Sequence, residues 1–254
     1  MTETAVFGPG GYRYIRGPFQ YSGGVAAEPG YVIERVRFAN PVPVEEGFRR
    51  IEAYLDTANR PYTSFCACEL RSPAPFTDQE FIDFNRIYVG TLERWGIFKD
   101  DENPVARSNV CPKIQPPAEP CFEAFCHTVT SSPSTFREIP KSFVIAGSGE
   151  AQESPGPYRE KTIRYGETSA EAMREKAIFV LGQMESRMSA LGFGWSDATT
   201  TQVYTVHDLY PFLADEIVSR GATKGGLTWF FANPPVQGLE YEMDLRGIPV
   251  ERVI

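Results

Sequence analysis

Five cysteines, Cys66, Cys68, Cys111, Cys121 and Cys126, and two histidines, His127 and His207, are the side chains that could hold a metal or build a nucleophile. Cys66-Ala-Cys68 and Cys121 with Cys126-His127 bring soft ligands together, so a zinc site is one reading. Structural zinc sites separate paired ligands by two to four residues, a spacing that C-x-C does not offer. In an extended strand Cys66 and Cys68 share a face, and small thiols usually pack in a core, which is the expectation here. Cys126 and His127, adjacent in a strand, face opposite sides and do not form a nucleophile and base. An odd number of cysteines, behind an N-terminus without a basic and then apolar segment, predicts reduced thiols and a cytoplasmic location. No metal and no cofactor is expected.

Charge narrows the partners. A formal net charge of -8 argues against nucleic acid, whose backbone needs a positive surface. No apolar run is long enough to span a bilayer, so no membrane partner is expected. A small anionic substrate would need a local cation, and Arg107, after the polar loop Asp100 to Pro104, is one that could supply it.

These side chains must be held by regular elements, and the periodicity supplies them. Phe48, Ile51, Tyr54, Leu55 and Ala58 make one apolar face of a helix over Val44 to Ala58, stopped by Asn59-Arg60-Pro61. Tyr62 to Leu70 suits a buried strand. Thr77-Asp-Gln-Glu80 is a capping box opening a helix with Phe81, Phe84, Ile87, Tyr88, Leu92 and Trp95 as its stripe. Ala106 to Lys113 and Cys121 to Val129 read as strands around Pro116-Pro117.

A similar order follows. Phe143 to Ala146 is a strand, and Thr168-Ser-Ala-Glu171 is a capping box before a helix that Gly192 ends. Ala198 to Val206 is a strand and Leu209 to Ser219 a helix. Leu227 to Ala232 and Leu239 to Leu245 form a strand pair around Pro234-Pro235. Ser-Gly closes a strand in both halves, at Ser22-Gly23 and Ser148-Gly149. The chain therefore reads as two diverged copies offset by roughly 120 residues. The Ser/Thr/Pro stretch Thr130 to Pro140 is the linker, giving units of 1–135 and 136–254.

Gly8-Pro9 followed by Tyr12, Ser22-Gly23, Phe84-Asn85-Arg-Ile-Tyr88, and Arg107 with Pro116 and then Glu123 resemble the RidA/YjgF family, whose pattern runs Gly-Pro-Tyr, Ser-Gly-Gln, Phe-Asn-x-x-Tyr, Arg, Leu-Pro and a Glu-rich last strand. The resemblance implies an α+β fold of two chorismate-mutase-like units, each a mixed sheet covered on one face by two helices. Glu123 stands about one residue out of register with the family's acid. In the second copy the family's arginine position falls on Gly225 or Gly226 beside Lys224, and Glu240 is the remnant of its acid, so the second unit is expected to be degenerate.

The resemblance further implies hydrolysis of an enamine or imine of an amino acid to a keto acid and ammonia, without a cofactor. Arg107 would hold the substrate carboxylate and Glu123 would serve the attacking water and leaving nitrogen. Asn85 and Tyr12 would orient water or substrate. A tandem, diverged member resembles the specialised 2-aminomuconate deaminases, whose dicarboxylate substrate would want a second cation among Arg13, Arg16, Arg71 and Lys224. Homo-oligomers, trimers first, are implied as well. A non-catalytic small-acid-binding protein and a chorismate-processing enzyme of the same architecture are the alternatives.

Overall fold

The computed structural model describes residues 3–131, 141–154 and 156–254. Its first part contains β1 (Thr4–Phe7), β2 (Tyr12–Ile15), β3 (Gly24–Ala27), β4 (Tyr31–Pro43), α1 (Val44–Thr57), β5 (Phe65–Arg71), α2 (Asp78–Arg94), β6 (Ala106–Pro112) and β7 (Cys121–Thr130). The rest contains β8 (Phe143–Gly149), α3 (Tyr158–Lys161), α4 (Ala170–Leu191), β9 (Thr200–Tyr204), α5 (Tyr210–Phe212), β10 (Leu227–Phe230), β11 (Ala232–Asn233), β12 (Glu242–Gly247) and β13 (Val250–Val253).

The strands form two mixed sheets, ordered β11-β6-β5-β7-β4-β13 and β1-β2-β3-β8-β12-β9-β10. An internal repeat is visible in the pairing. In β6-β5-β7-β4 one parallel pair is followed by two antiparallel ones, and β10-β9-β12-β8 repeats that sequence of directions. The fold is thus α+β with a repeated unit. The repeats nevertheless exchange their flanks, because the β1 to β3 meander extends the second sheet and β11 and β13 extend the first. A boundary at 135/136 therefore does not separate the sheets. The expected linker, Thr130 to Pro140, lies mostly outside the described residues.

Helices cover the outer faces. Phe48, Ile51, Leu55, Tyr88 and Leu92 of α1 and α2 pack on Phe65, Leu70, Phe122 and Phe125. On the other side Ala177, Val180, Leu181, Met184 and Met188 of α4 pack on Phe143, Ile145, Val203, Met243 and Leu245. The inner faces meet through Tyr12, Val25 and Ala146 against Ile33, Ala67 and Ala106, giving a helix, sheet, sheet, helix stack.

The middle layer is partly charged. With Met243 and Leu245 of β12 facing α4, strand alternation sends Glu242, Asp244 and Arg246 inward, and all three are buried. Arg35 grips Glu69 with two hydrogen bonds of 2.7 and 2.9 Å. Asp244 accepts hydrogen bonds from Tyr204, Gln202 and Ser108, and Arg246 donates to Glu251 and Gln202. Such partners offset the desolvation of buried charge.

Four local expectations change. Helix α4 starts one residue later than the Thr168 box implies, with Ser169 as N-cap accepting from the Ala172 N–H. Ser169→Ala is expected to lower unfolding free energy by about 1 kcal/mol, read from the urea midpoint. Leu209 to Ser219 is a short α-turn continued by π-helical Leu213–Val218 rather than one helix. The strands either side of Pro234-Pro235 are not neighbours, since β9 lies between β10 and β12 as β5 does between β6 and β7. Cys66 joins the inter-sheet cluster while Cys68 joins the helix-side core, because the β5/β7 register shifts between Phe65 and Ala67.

Candidate active site

β6, buried from Ala106 to Cys111, presents Arg107 and Asn109 two residues apart, hence on one face. Both line a cleft of about 920 Å³ whose other walls are the β2–β3 loop (16–21), the start of α2, Gly147 to Gly149 of β8, the segment leading to α3, the 235–239 turn and Glu242 at the start of β12. The cleft thus lies where the two halves of the chain meet.

Arg107 is 3% exposed and packed among aromatic rings. Its guanidinium carbon lies 5.0 Å from the Tyr88 ring centre, 5.6 Å from Tyr21 and 5.8 Å from both Phe81 and Phe84. Nη1 has no hydrogen-bond partner, and among the described residues Arg107 has no ion pair. A buried cation held by ring faces with donors unspent is prepared to take a carboxylate. Two further buried polar atoms in the wall are also unpartnered, Asn109 Nδ2 and Gln20 Oε1. The loop carrying Tyr21 and Gln20 is fixed by Asn103 Nδ2, which donates to the carbonyls of Phe19 and Gln20, and by Arg86 stacked 3.7 Å over Phe19.

Facing this cation is Glu242, 4% exposed. Burial pushes its carboxyl well above the ordinary range, the neighbouring charges of Asp244 and Glu150 push it further, and Arg107 and Arg187 pull it partly back. It therefore keeps its proton at pH values where exposed glutamates are ionised. The phenols of Tyr21 and Tyr158 are raised, chiefly by burial, and remain protonated donors beside it.

Gly147 makes room for that carboxyl. A Cβ at this position would strike Glu242 Oε1 and come within 3.2 Å of Ser108 Cα. Gly147→Ala is expected to displace the acid and lower kcat by roughly 10²-fold while the chain still folds, measured by steady-state kinetics beside a thermal melt.

The four residues expected to form the site are dispersed. Arg107 lies in the cleft; Glu123, Asn85 and Tyr12 are not among its lining residues. Tyr12 is fully buried between the sheets and donates its hydroxyl to the Phe65 carbonyl. Asn85 turns its amide back to the Phe81 carbonyl within α2, so the aromatic members of Phe84-Asn85-Arg-Ile-Tyr88 are those that meet Arg107. Glu123 lies on β7, where its charge acts on Arg71, whose guanidinium stacks near Tyr204 and Phe230. Glu240 Oε2 lies 2.8 Å from His207 Nε2, outside the cleft.

Glu242 was signalled by Glu242-Met-Asp-Leu-Arg246, charged residues alternating with apolar ones over a strand whose two faces are both buried. The cysteines are buried and free, and burial pushes the Cys68 thiol up to about 12 despite the opposing pull of its hydrogen bond with Tyr88, the opposite of an activated thiolate. Among the described residues no group of three or more metal-ligating side chains occurs, and no helix is long and apolar enough to cross a membrane.

Comparison with known proteins places this arrangement. A 10% identical chorismatase structure overlaps 89% of this chain and 77% of its own with a TM-score of 0.48. The YjgF gene product of E. coli, 16% identical, overlaps 42% of this chain and 80% of its own with a TM-score of 0.30. The 2-amino-5-chloromuconate deaminase of Comamonas testosteroni is 53% identical over 254 residues, all of both chains. Residues 4–252 match the model of the family described as 2-aminomuconate deaminase CnbZ. With that match covering both halves and a relative 53% identical over its full length, the chain belongs to the 2-aminomuconate deaminase family.

Proposed function

We propose that the chain hydrolyses the enamine of a 2-aminomuconate-type dicarboxylate to the corresponding 2-oxo acid, or its enol, and ammonia. The observation that carries the reading is the meeting, in one cleft, of a buried Arg107 guanidinium with a free donor and a buried Glu242 carboxyl that retains its proton. Family membership and the 53% identical relative named for 2-amino-5-chloromuconate support the same chemistry.

Arg107 holds the carboxylate beside the amino-bearing carbon with paired, charge-assisted hydrogen bonds. Glu242 gives its proton to the conjugated carbon, converting the enamine to an iminium. Water adds to the C=N carbon and its proton passes to the Glu242 carboxylate. The same carboxyl then protonates the carbinolamine nitrogen, the C–N bond breaks, ammonia leaves, and the hydroxyl proton returns to Glu242 as the C=O forms. Protons and electrons balance with one water consumed, and every proton transfer uses one side chain. Tyr21 and Tyr158 donate to the carbinolamine oxygen.

The test is ammonia release from 2-aminomuconate generated in situ. Release well above the uncatalysed rate supports the reading, and none above that rate sinks it. A homo-oligomer, trimer first, is a separate proposal from the family resemblance, tested by sedimentation velocity.

A further inference from the structure

Helix α4 faces its sheet with an apolar stripe, yet Arg187 within it is 3% exposed. A long cationic side chain is buried there for a reason the packing does not provide. It passes close to Gly23, where an added Cβ would sit 3.4 Å from Nε. At its end Nη1 donates to the Ala146 carbonyl at 2.9 Å and Nη2 meets the Glu153 carboxylate. Ala146 precedes Gly147, the residue pressed against the Glu242 carboxyl. The Arg187 and Arg107 guanidinium groups both act on Glu242 and on the Tyr21 phenol.

The partner of Arg187 differs from it in character. Glu153 lines the cleft and its side chain is 51% exposed. An ion pair with one end in water adds little to stability, so exchanging Glu153 for another carboxylate costs little. Arg187 would stay in place meanwhile, anchored through Ala146. Arg187 is not itself a lining residue and its Nη2 reaches the cleft only behind Glu153, which is. None of the cations expected from sequence matches this. Arg13 is paired with Glu28 and the Leu191 carbonyl, Arg16 lines the cleft but is taken up by Glu102 and Glu3, Arg71 lies beside Glu69, and Lys224 is not among the lining residues.

We propose that Arg187 is the second carboxylate-holding cation of the cleft, and that Glu153 occupies its Nη2 as an internal carboxylate which the substrate's distal carboxylate displaces. This rests on the dicarboxylate reading above. Arg107 would take the carboxylate beside the reacting carbon and Arg187 the remote one, so that Arg187 selects dicarboxylates over monocarboxylates of the same length. Binding energy taken from the remote end would hold the reacting carbon against Glu242.

Calorimetric titration with muconate and with sorbate, six-carbon dienes carrying two carboxylates and one, tests this without turnover. Wild-type protein is expected to bind muconate more tightly than sorbate. Arg187→Gln should weaken muconate by roughly tenfold to a hundredfold and leave sorbate nearly unchanged, with Arg187→Lys recovering part of the loss. Glu153→Gln, at a half-exposed position that tolerates substitution, should tighten muconate about two- to fivefold and not sorbate. Equal weakening of both ligands by Arg187→Gln, or a Glu153→Gln variant whose muconate affinity is unchanged or reduced, overturns the proposal. If Arg187→Gln does not fold, the Glu153→Gln result decides alone. Ammonia release by the wild type, measured alongside, separates this failure from failure of the deaminase reading.

Discussion

Glu242→Gln is expected to lower ammonia release from the enamine substrate by about 10²–10⁴-fold, the span associated with loss of a positioned acid and base. Gln keeps the shape and neutrality of the protonated carboxyl, so KM should change little and the loss should fall on kcat. The pH dependence carries the sharper signature. Glu242 must be protonated to begin the reaction, and its carboxyl is held well above the ordinary range by burial first and by Asp244 and Glu150 next. The wild-type rate should therefore fall as pH rises through that elevated value. Stability follows the same group in the same direction. Where the folded pKa exceeds the unfolded one, the folded state binds the extra proton, so stability falls as pH rises from the ordinary glutamate value to the elevated one. Gln removes that slope. Thermal melts should show Glu242→Gln less sensitive to alkaline pH than wild type, and more stable there, while inactive. A variant both inactive and uniformly destabilised would mean that the residue supports the fold rather than the reaction.

Elements set by local pattern were readable in the residues. The apolar faces of Val44–Thr57 and Asp78–Arg94, the Thr77 to Glu80 box and the αL glycine at 192 each depend on neighbours a few positions away. What depends on distant pairing was not. Nothing in Tyr12–Ile15 or Gly24–Ala27 announces that they join the sheet of the second half, or that Val250–Val253 runs parallel to β4 from the first. The expectation of Glu123 as the acid, with Glu240 as a remnant, did not anticipate Glu242 in the cleft for the same reason. A search for the acid within the copy that holds the arginine assumes that a copy owns its site, whereas the cleft joins β6 of one repeat to β12 of the other.

The repeat relates the two acids and separates their surroundings. In the two matching strand orders, Glu123 sits near the start of β7 as Glu242 does at the start of β12, and β10 occupies the place of β6. β10 reads Leu-Thr-Trp-Phe and carries no cation where β6 carries Arg107. Arg71, from β5, instead lies 5.4 Å from the Phe230 ring centre of β10 and 5.7 Å from that of Tyr204. A buried side chain with aromatic and acidic neighbours fills that region, and Glu123 is one of the charges acting on it. The second repeat thus contributes Glu242 to the cleft, while its β10 carries no cation at the place that Arg107 holds on β6.

Arg107→Met is expected to raise KM for the enamine dicarboxylate by about 10²–10³-fold, since a bidentate, charge-assisted contact to a carboxylate from a buried guanidinium is lost. Met preserves the packing among Tyr21, Phe81, Phe84 and Tyr88, so the melting temperature should move by only a few degrees. Arg107→Lys should recover part of the affinity, because an ammonium supplies the charge without the planar pair of donors. A second consequence separates this role from a purely structural one. The Arg107 charge favours the ionised form of Glu242, so its removal lets the carboxyl rise still further. The alkaline limb of kcat/KM should then move to higher pH in Arg107→Met and return toward the wild-type position in Arg107→Lys, which restores the charge. A uniform drop in kcat/KM with the limb unmoved would place Arg107 too far from Glu242 to share a substrate with it, and the pairing on which the reaction depends would have to be abandoned.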